Sequence, residues 1–234
     1  MSDGQRVVLV TGAAGNLGRA VAQRFQAAGD RLVLVDLQAE ALAAAYGEEG
    51  DGLLLLGANL LKQDEANAAV AQAIARFRRI DVLCNIAGGF RMGEAVHETS
   101  DGSWDFLFNL NARTVLHMAR AVVPQMLARS SGKIVNVASF SAQQGAALMG
   151  AYTASKSVVM RLTEAMSGEL KANGINVNCV MPTTLDTPEN RKAMPDADSS
   201  QWVSTQDLAH VIEFLSSPGA RAIHGAAIPV TGLS

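Results

Sequence analysis

Short apolar segments alternate along the chain with longer segments in which apolar residues recur every three or four positions. The short segments are too brief for helices and several are rich in β-branched residues, so each predicts a β-strand. Their continuous apolar character indicates burial on both faces of a sheet. The predicted strands are Val7–Val10, Leu32–Val35, Leu53–Leu56, Val82–Cys84, Ile134–Val137, Ile175–Val180 and Ala227–Val230.

The longer segments have the apolar spacing of helices that cover a sheet. Gly29 and Gly47 follow the first two segments, and glycine is a common stop after a helix. Pro124 lies inside the longest segment and is expected to bend or interrupt that helix. The predicted helices are Leu17–Ala28, Ala39–Tyr46, Glu65–Arg78, Trp104–Ala128, Tyr152–Ala172 and Thr205–Leu215.

The regular alternation of strands and helices predicts an α/β fold with one doubly wound parallel sheet of about seven strands and helices on both faces. No change in composition divides the chain, so we expect a single domain over residues 1–234. The least regular segment is Met181–Ser200, which contains three prolines. A loop of this length is usually functional or mobile.

Composition narrows the classes of partner. Charged residues make up 18% of the chain and the net charge is −3, so nucleic acid is not an expected partner. No apolar run is long enough to span a bilayer, and Met1–Gly4 does not begin a signal peptide, which predicts a cytoplasmic protein without a membrane partner. Cys84 and Cys179 lie in apolar runs and are expected to be reduced core thiols. The histidines are scattered, so no metal site is predicted.

A glycine-rich turn separates the first strand from the first helix. Gly12, Gly15 and Gly18 recur at every third position there. A pyrophosphate needs close backbone approach and the free N–H groups of a helix N-terminus, which side chains would obstruct. This turn therefore predicts a dinucleotide-binding site.

Asp36 follows the second strand, 18 residues after Gly18. A carboxylate at this position can accept hydrogen bonds from the hydroxyls of an adenosine ribose and would repel a 2′-phosphate. The alternative is a helix-capping or solvated acid. The ribose interpretation predicts a preference for NAD(H) over NADP(H).

Tyr152 and Lys156 are four residues apart in a predicted helix and so share one face. A free tyrosine, with a pKa near 10, is a poor acid or base at neutral pH. A nearby ammonium group and a bound nicotinamide cation would both favour the phenolate. The pair predicts a proton-transfer site.

Other polar residues are expected near this pair at the carboxyl edge of the sheet. Ser139 follows a strand and can hydrogen-bond a reacting oxygen, although Ser141 is a rival. Asn85 and Gly88 follow another strand. Asn111 interrupts an apolar helix, which indicates either a local kink or the site of a proton-relay water.

Together these residues give the chain a strong resemblance to the short-chain dehydrogenase/reductase family over essentially its whole length. The resemblance implies a Rossmann-type fold and a homodimer or homotetramer that packs through its long helices. It is carried by Thr11, Gly12, Gly15, Gly18, Asp36, Asn85, Ile86, Ala87, Gly88, Asn111, Ser139, Tyr152 and Lys156.

The resemblance also assigns roles. It implies that Tyr152 is the general acid/base, that Lys156 lowers the pKa of the tyrosine and binds the nicotinamide ribose, that Ser139 polarises the substrate oxygen and that Asn111 completes a proton relay. Pro182 and Thr187 match positions that hold the nicotinamide. The implied cofactor contacts are Gly12, Gly15, Asn16, Leu17, Gly18, Asp36, Asn59, Leu60, Asn85, Ala87, Gly88, Tyr152, Lys156, Pro182, Thr184, Leu185 and Thr187.

The chain departs from the family pattern at several cofactor positions. Asn16 stands where the shorter members carry a glycine, which changes the cradle of the pyrophosphate. Asn59 stands where an aspartate often contacts adenine, and Thr183 replaces the glycine that usually follows Pro182. None of these differences affects the implied catalytic residues.

The expected substrate is a small or medium secondary alcohol or ketone, bound by residues 182–200 and by Phe90, Arg91, Gln143, Met149 and Arg191. A narrower resemblance offers an alternative. Thr184–Asp198, Trp202 and Ile86–Phe90 are similar to segments of quinonoid dihydropteridine reductases, which use NADH but lack a serine at the position of Ser139. A non-catalytic dinucleotide-sensing module on the same fold is the alternative from another class.

Overall fold

All seven predicted strands pair in one parallel sheet. The computed structural model describes residues 5–233, so Met1–Gly4, on which the expectation of no signal peptide rested, lies outside the described residues. The strands of this sheet are β1 Val7–Thr11, β2 Arg31–Asp36, β3 Leu53–Gly57, β4 Val82–Asn85, β5 Gly132–Val137, β6 Ile175–Pro182 and β9 Ala227–Val230. Along the sheet they follow the order β3-β2-β1-β4-β5-β6-β9.

Burial follows the position of each strand in the sheet. Every residue of β1, β4 and β6 is buried, as their continuous apolar sequences predicted. The edge strands β3 and β9 are only partly buried. Pro229 is tolerated in β9 because an edge strand needs to donate hydrogen bonds on one side only.

Helices cover both faces of the sheet. On one face α1, α2 and α8 pack over a core that includes Phe25, Leu42 and Ile212. On the other face α3, α5 and α6 pack over a core that includes Met118 and Val159. The helices are α1 Asn16–Ala27, α2 Ala39–Tyr46, α3 Gln63–Phe77, α4 Asp101–Phe108, α5 Thr114–Ala128, α6 Gly150–Leu170, α7 Pro188–Ala193 and α8 Thr205–Leu215.

The helix predicted over Trp104–Ala128 is interrupted at Asn111, where a kink was one of two interpretations, and not at Pro124. A π-helical turn, Asn109–Arg113, separates α4 from α5, whereas α5 continues through Pro124. The amide of Asn111 bonds to Gly89 and Ser155 outside its own helix, which accounts for the break at this turn. A proline removes only one helical hydrogen bond, and the neighbouring Val122 and Met126 stay fully buried, which holds α5 together.

The segment predicted as an irregular loop, Met181–Ser200, contains regular structure. Strand β7 (Leu185–Asp186) pairs in parallel with β8 (Val203–Ser204) in a second, small sheet. The short helix α7 follows Thr187, whose hydroxyl accepts a hydrogen bond from the backbone N–H of Asn190. A side-chain cap and a proline at the first helical position start this helix despite its polar sequence.

Among residues 5–233, no helix is long and apolar enough to cross a membrane. The same residues contain no group of three or more His, Cys, Asp or Glu side chains arranged to hold a metal ion.

Candidate active site

The site lies where the strand order reverses between β1 and β4. The Thr11 hydroxyl accepts hydrogen bonds from the N–H groups of Ile86 and Ala87, both at 3.1 Å. A Cβ atom at Gly12 would lie only 2.8 Å from the Ala87 Cα. The segments after β1 and β4 therefore touch at their start, and a crevice opens beyond them at the carboxyl ends of the strands.

A cleft of about 600 Å³ occupies this crevice. Its volume is within the range of about 300–1,000 Å³ typical of sites for small molecules and cofactors. Of the residues singled out in the sequence, it brings together Gly12, Gly15, Asn16, Leu17, Gly18, Asp36, Asn59, Leu60, Ala87, Gly88, Phe90, Ser139, Tyr152, Lys156, Pro182, Leu185 and Thr187.

The glycine-rich turn leaves the start of α1 open. Gly12 has φ 63°, and a Cβ at Gly18 would lie against the carbonyl oxygen of Gly12 and 2.7 Å from the Ala13 Cα. Gly15 is the N-cap of α1 and no side chain accepts from the first turn, unlike α8, whose first turn is capped by Ser204. The N–H groups at this end of α1 are thus available to an anion, which fits the pyrophosphate of a dinucleotide.

The carboxylate of Asp36 is fixed beside this turn. One oxygen accepts from the N–H of Ala14 at 2.9 Å and the other from the N–H of Leu37 at 2.8 Å. The N-cap of α2 is Gln38, so the alternative that Asp36 caps this helix is wrong. Each carboxylate oxygen can accept a further hydrogen bond, and Asp36 lines the cleft.

At the other end of the cleft, Tyr152 and Ser139 line the same wall, and the Ser139 hydroxyl is hydrogen-bonded to the hydroxyl of Ser141 at 2.8 Å. Burial raises the pKa of the Tyr152 phenol, and the nearby Ser139 hydroxyl acts on this pKa in the opposite direction. The net direction is opposite to the one expected from a neighbouring ammonium group. The physical reason is the burial of the phenol. The Lys156 ammonium donates to the carbonyl of Val137 at 2.8 Å, and its own burial lowers its pKa to about 8.

Asn111 lies behind the cleft rather than in its lining. Its amide oxygen accepts from the N–H of Gly89 at 2.8 Å, and its amide nitrogen donates to the Gly89 carbonyl and the Ser155 hydroxyl, both at 3.0 Å. A Cβ at Gly88 would lie 3.0 Å from this amide oxygen and 3.1 Å from the Lys156 Nζ. The kink considered for Asn111 is therefore present, and it places the amide beside Lys156.

Two expected cofactor contacts, Asn85 and Thr184, do not line the cleft. Asn85 is 3% exposed and donates to the amide oxygen of Asn136 at 2.8 Å, because the two residues are register partners in β4 and β5. The carbonyl of Thr184 accepts from the N–H of Val203 next to the small sheet, and Thr183 lines the cleft instead.

The expected substrate residues are divided between several places. Phe90 meets the Tyr152 ring edge-on, with ring centroids 4.8 Å apart. Arg91 and Met149 line a separate cavity of about 250 Å³ that shares Tyr152 with the main cleft.

Gln143 and Arg191 lie outside both cavities. Gln143 is exposed and donates to the carbonyl of Phe140. Arg191 forms a two-point ion pair with Asp186 at 2.5 and 2.8 Å, which holds it against the loop. An arginine with an acid five residues before it favours this local pairing over a substrate contact.

Sequence reasoning missed several residues that support the site. The hydroxyl of Tyr46 donates to the Ala13 carbonyl at 2.6 Å. His117 is 7% exposed, and its Nδ1 bonds to the carbonyl of Leu60 at 2.9 Å. The available signal was a polar side chain in an apolar segment, since such a residue needs a buried partner.

Comparison with known proteins places the chain in a family. The family model described as short chain dehydrogenase matches residues 6–198, and the chain belongs to this family. It is therefore an NAD(P)-dependent oxidoreductase that acts on CH–OH groups.

Its relatives match over almost their whole length. The chain is 32% identical to a 2-(R)-hydroxypropyl-CoM dehydrogenase of Xanthobacter autotrophicus, with 97% of each protein covered. It is 33% identical to a 2-dehydro-3-deoxy-D-gluconate 5-dehydrogenase of Escherichia coli, with 97% of this chain and 94% of the relative covered. The crystal structure of a 3-ketoacyl-(acyl-carrier-protein) reductase from Brucella melitensis complexed with NADH is 29% identical, with 97% of each chain covered and a TM-score of 0.87.

Replacing Lys156 by methionine is expected to remove a pH dependence of stability. The pKa of Lys156 is about 8 in the folded chain, below the 10.5 of a solvated lysine side chain, so the unfolded chain binds more protons between these two pH values. As the pH rises from about 7.5 to about 10, the free energy of unfolding of the wild type should therefore increase by about 2 kcal/mol more than that of Lys156→Met. Urea denaturation of both proteins without cofactor measures this difference.

Lys192→Met, in the exposed helix α7, is the control for the loss of one positive charge. A difference between wild type and Lys156→Met that stays constant over the whole pH range would contradict the buried-ammonium interpretation.

Proposed function

We propose that this protein uses NAD(H) to interconvert a small or medium secondary alcohol and its ketone, with Tyr152 as the general acid/base. The observation that carries the proposal is that Tyr152, Ser139 and the buried Lys156 line the same end of one cleft. A sensing module has no need of a proton donor at this place, so the arrangement favours an enzyme.

In the reducing direction, Ser139 would donate a hydrogen bond to the substrate carbonyl, and Tyr152 would transfer its phenolic proton to the same oxygen. The nicotinamide, when bound, supplies the hydride that the carbonyl carbon accepts. In the oxidising direction the Tyr152 phenolate takes the alcohol proton. Ser139 and Tyr152 line the same end of the cleft, which supports this assignment, since both groups can reach one substrate oxygen.

Lys156 and Asn111 would support the proton transfer from behind the cleft. We assign Lys156 the nicotinamide ribose and the electrostatic stabilisation of the phenolate, because its ammonium is buried and lines the cleft. Asn111 lies beside Lys156 in the π-helical turn, which supports a role in holding a water that returns the proton to solvent.

Cofactor binding would follow the length of the cleft. The N–H groups after Gly15 would hold the pyrophosphate, Asp36 the adenosine ribose, and Asn59 and Leu60 the adenine. Pro182 and Thr187 lie at the other end, in positions suited to the nicotinamide.

The substrate would bind between Tyr152 and residues 182–200. The two relatives named above are, by their names, dehydrogenases of hydroxyl-bearing or oxo-bearing small molecules, which supports a substrate of that kind. Quinonoid dihydropteridine reduction is the competing activity. The Ser139 hydroxyl, which lines the cleft together with Tyr152, favours an alcohol or ketone.

We also propose that the protein is a homodimer or homotetramer that packs through α5 and α6. These two helices leave an apolar groove of about 370 Å³ whose lining includes Val115, Leu116, Ala119, Val123, Leu162 and Met166. Exposed apolar patches of this kind mark protein interfaces.

Leu162→Glu is expected to dissociate the oligomer, because it places a charge in this groove. Sedimentation equilibrium should give the mass of two or four chains for the wild type and a smaller mass for the variant. Phe214→Glu, at an exposed position of α8 on the other face of the sheet, is the control. A wild-type protein with the mass of one chain would refute the proposal.

Tyr152→Phe is expected to lower kcat by about a hundred-fold or more, because it removes the group that transfers the proton. NADH affinity, measured by fluorescence titration, should change little. Tyr46→Phe is the matched control, since it removes the only other tyrosine hydroxyl of the chain. That variant should retain turnover, with its effect confined to the KM of the cofactor. Full turnover by Tyr152→Phe would refute the assigned role, and faster reduction of quinonoid dihydropterin than of any ketone would favour the competing activity.

The carboxylate of Asp36 is expected to set the choice of cofactor. The wild type should show a kcat/KM for NAD⁺ at least about ten-fold higher than for NADP⁺, because a 2′-phosphate would meet this fixed negative charge. Asp36→Ala should lower the ratio of kcat/KM for NAD⁺ to kcat/KM for NADP⁺. Glu40→Ala, which removes a nearby exposed acid in α2, should leave this ratio unchanged. Equal or better use of NADP⁺ by the wild type would contradict the assignment.

A further inference from the structure

The cavity that shares Tyr152 with the main cleft carries information about the substrate. It is lined on one side by residues after β4, including Arg91, Met92 and Glu94, and on the other by residues before and at the start of α6, including Leu148 and Met149. Its volume of about 250 Å³ is below the range of about 300–1,000 Å³ that accommodates drug-sized ligands. A group bound here would be small and would lie next to the reacting phenol.

Arg91 is the cation of this cavity. Its guanidinium carbon lies 3.9 Å from the centroid of the Phe106 ring. Stacking of this kind uses the face of the guanidinium and leaves its N–H donors, which lie in the plane, directed outward. Within residues 5–233, no side chain or carbonyl forms a hydrogen bond or ion pair with Arg91. The Phe106 ring thus positions the guanidinium, and the N–H donors along its edge have no hydrogen-bond acceptor among the described residues.

Glu94, the acid among the described residues that line the cavity, does not neutralise this arginine. The carboxylate of Glu94 accepts from the Ser100 N–H at 3.3 Å and from the hydroxyls of Ser100 and Ser103 at 3.2 and 3.0 Å. These donors belong to the start of α4, whose N-cap is Ser100. Glu94 is therefore engaged by the end of a helix, and Arg91 keeps an unpaired positive charge.

The two sides of the cavity are joined by the backbone. The N–H of Gly93, which has φ 114°, donates to the carbonyl of Leu148 at 2.8 Å. Leu148 itself has φ 61°, a conformation that residues with a side chain seldom adopt. This hydrogen bond fixes the segment that carries Arg91 relative to α6, which carries Tyr152.

We infer that the substrate of this enzyme is a hydroxy acid or keto acid whose carboxylate binds Arg91 while its hydroxyl or carbonyl carbon lies at Ser139 and Tyr152. The inference rests on the proposed function and adds the chemical class of the substrate. A planar carboxylate matches the two parallel donors of a guanidinium edge, and the contact with Phe106 orients this edge. Arg191 is not available for this role because Asp186 already pairs with it.

The inference is tested with matched acids and esters. The wild type is assayed with NAD⁺ on racemic β-hydroxybutyrate, γ-hydroxyvalerate and δ-hydroxycaproate and on their methyl esters, which carry the same secondary alcohol without the charge. The variants are Arg91→Gln, Arg91→Lys and Arg221→Gln. Arg221 is exposed and lies near the start of β6, at the opposite edge of the sheet, so its variant controls for the loss of one positive charge.

We expect the wild type to prefer one of the acids over its ester. Arg91→Gln should lower kcat/KM for that acid by about ten-fold or more, mainly by raising KM. The kcat/KM of the variant for the ester should stay within about two-fold of the wild-type value. Arg91→Lys should keep part of the preference because it retains the charge but not the two-donor edge. Arg221→Gln should behave as the wild type, and all variants should bind NADH equally in a fluorescence titration.

Two results separate the inference from the proposed function. The inference is overturned, and the proposed function stands, if the wild type oxidises the esters at least as well as the acids. The same holds if Arg91→Gln lowers kcat/KM equally for the acid and for its ester. If the wild type oxidises neither set, the proposed function on small alcohols and the inference fall together.

Discussion

The contact between the segments that follow β1 and β4 is the constraint on which the rest of the site depends. The Thr11 hydroxyl holds the N–H groups after β4, and the missing side chain of Gly12 lets the Ala87 backbone approach. Since the strand order reverses at this point, helices leave β1 and β4 toward opposite faces and a crevice must open between them. A larger side chain at Gly12 would push the two segments apart and change the cleft along its whole length.

At the reacting end of the cleft, burial and polar neighbours act in opposite directions on the charged forms of Tyr152 and Lys156. Removal from water raises the pKa of Tyr152 and lowers that of Lys156, so both groups move toward their neutral forms. Ser139 acts against this for the phenol, and the Val137 carbonyl gives the ammonium a partner. The chain on its own therefore stores a proton on Tyr152, and a positive charge entering the cleft would shift this balance toward the phenolate.

The sequence predicted the strands well because buried parallel strands are continuous apolar runs, and it predicted the glycine-rich turn because only glycine allows that backbone approach. It predicted a bend or break at Pro124, through which α5 continues, and it left Asn111 open between a kink and a water site. Pro124 is a strong local signal, but the break comes from Asn111 bonding to Gly89, a contact between residues distant in sequence. Arg191 was equally ambiguous, since whether an arginine faces a ligand or Asp186 depends on a turn that the sequence does not reveal.

The hydrogen bond between Gly93 and Leu148 has a consequence for protein engineering. Each of the two residues has an uncommon backbone conformation, and the bond joins segments that are more than fifty positions apart in the chain. Changing the length of either segment alone would break this hydrogen bond. The walls of the cavity next to Tyr152 would then no longer be held together. The two segments therefore act as one structural unit. Libraries of recombined variants that aim at new substrates should take both segments from the same parent protein.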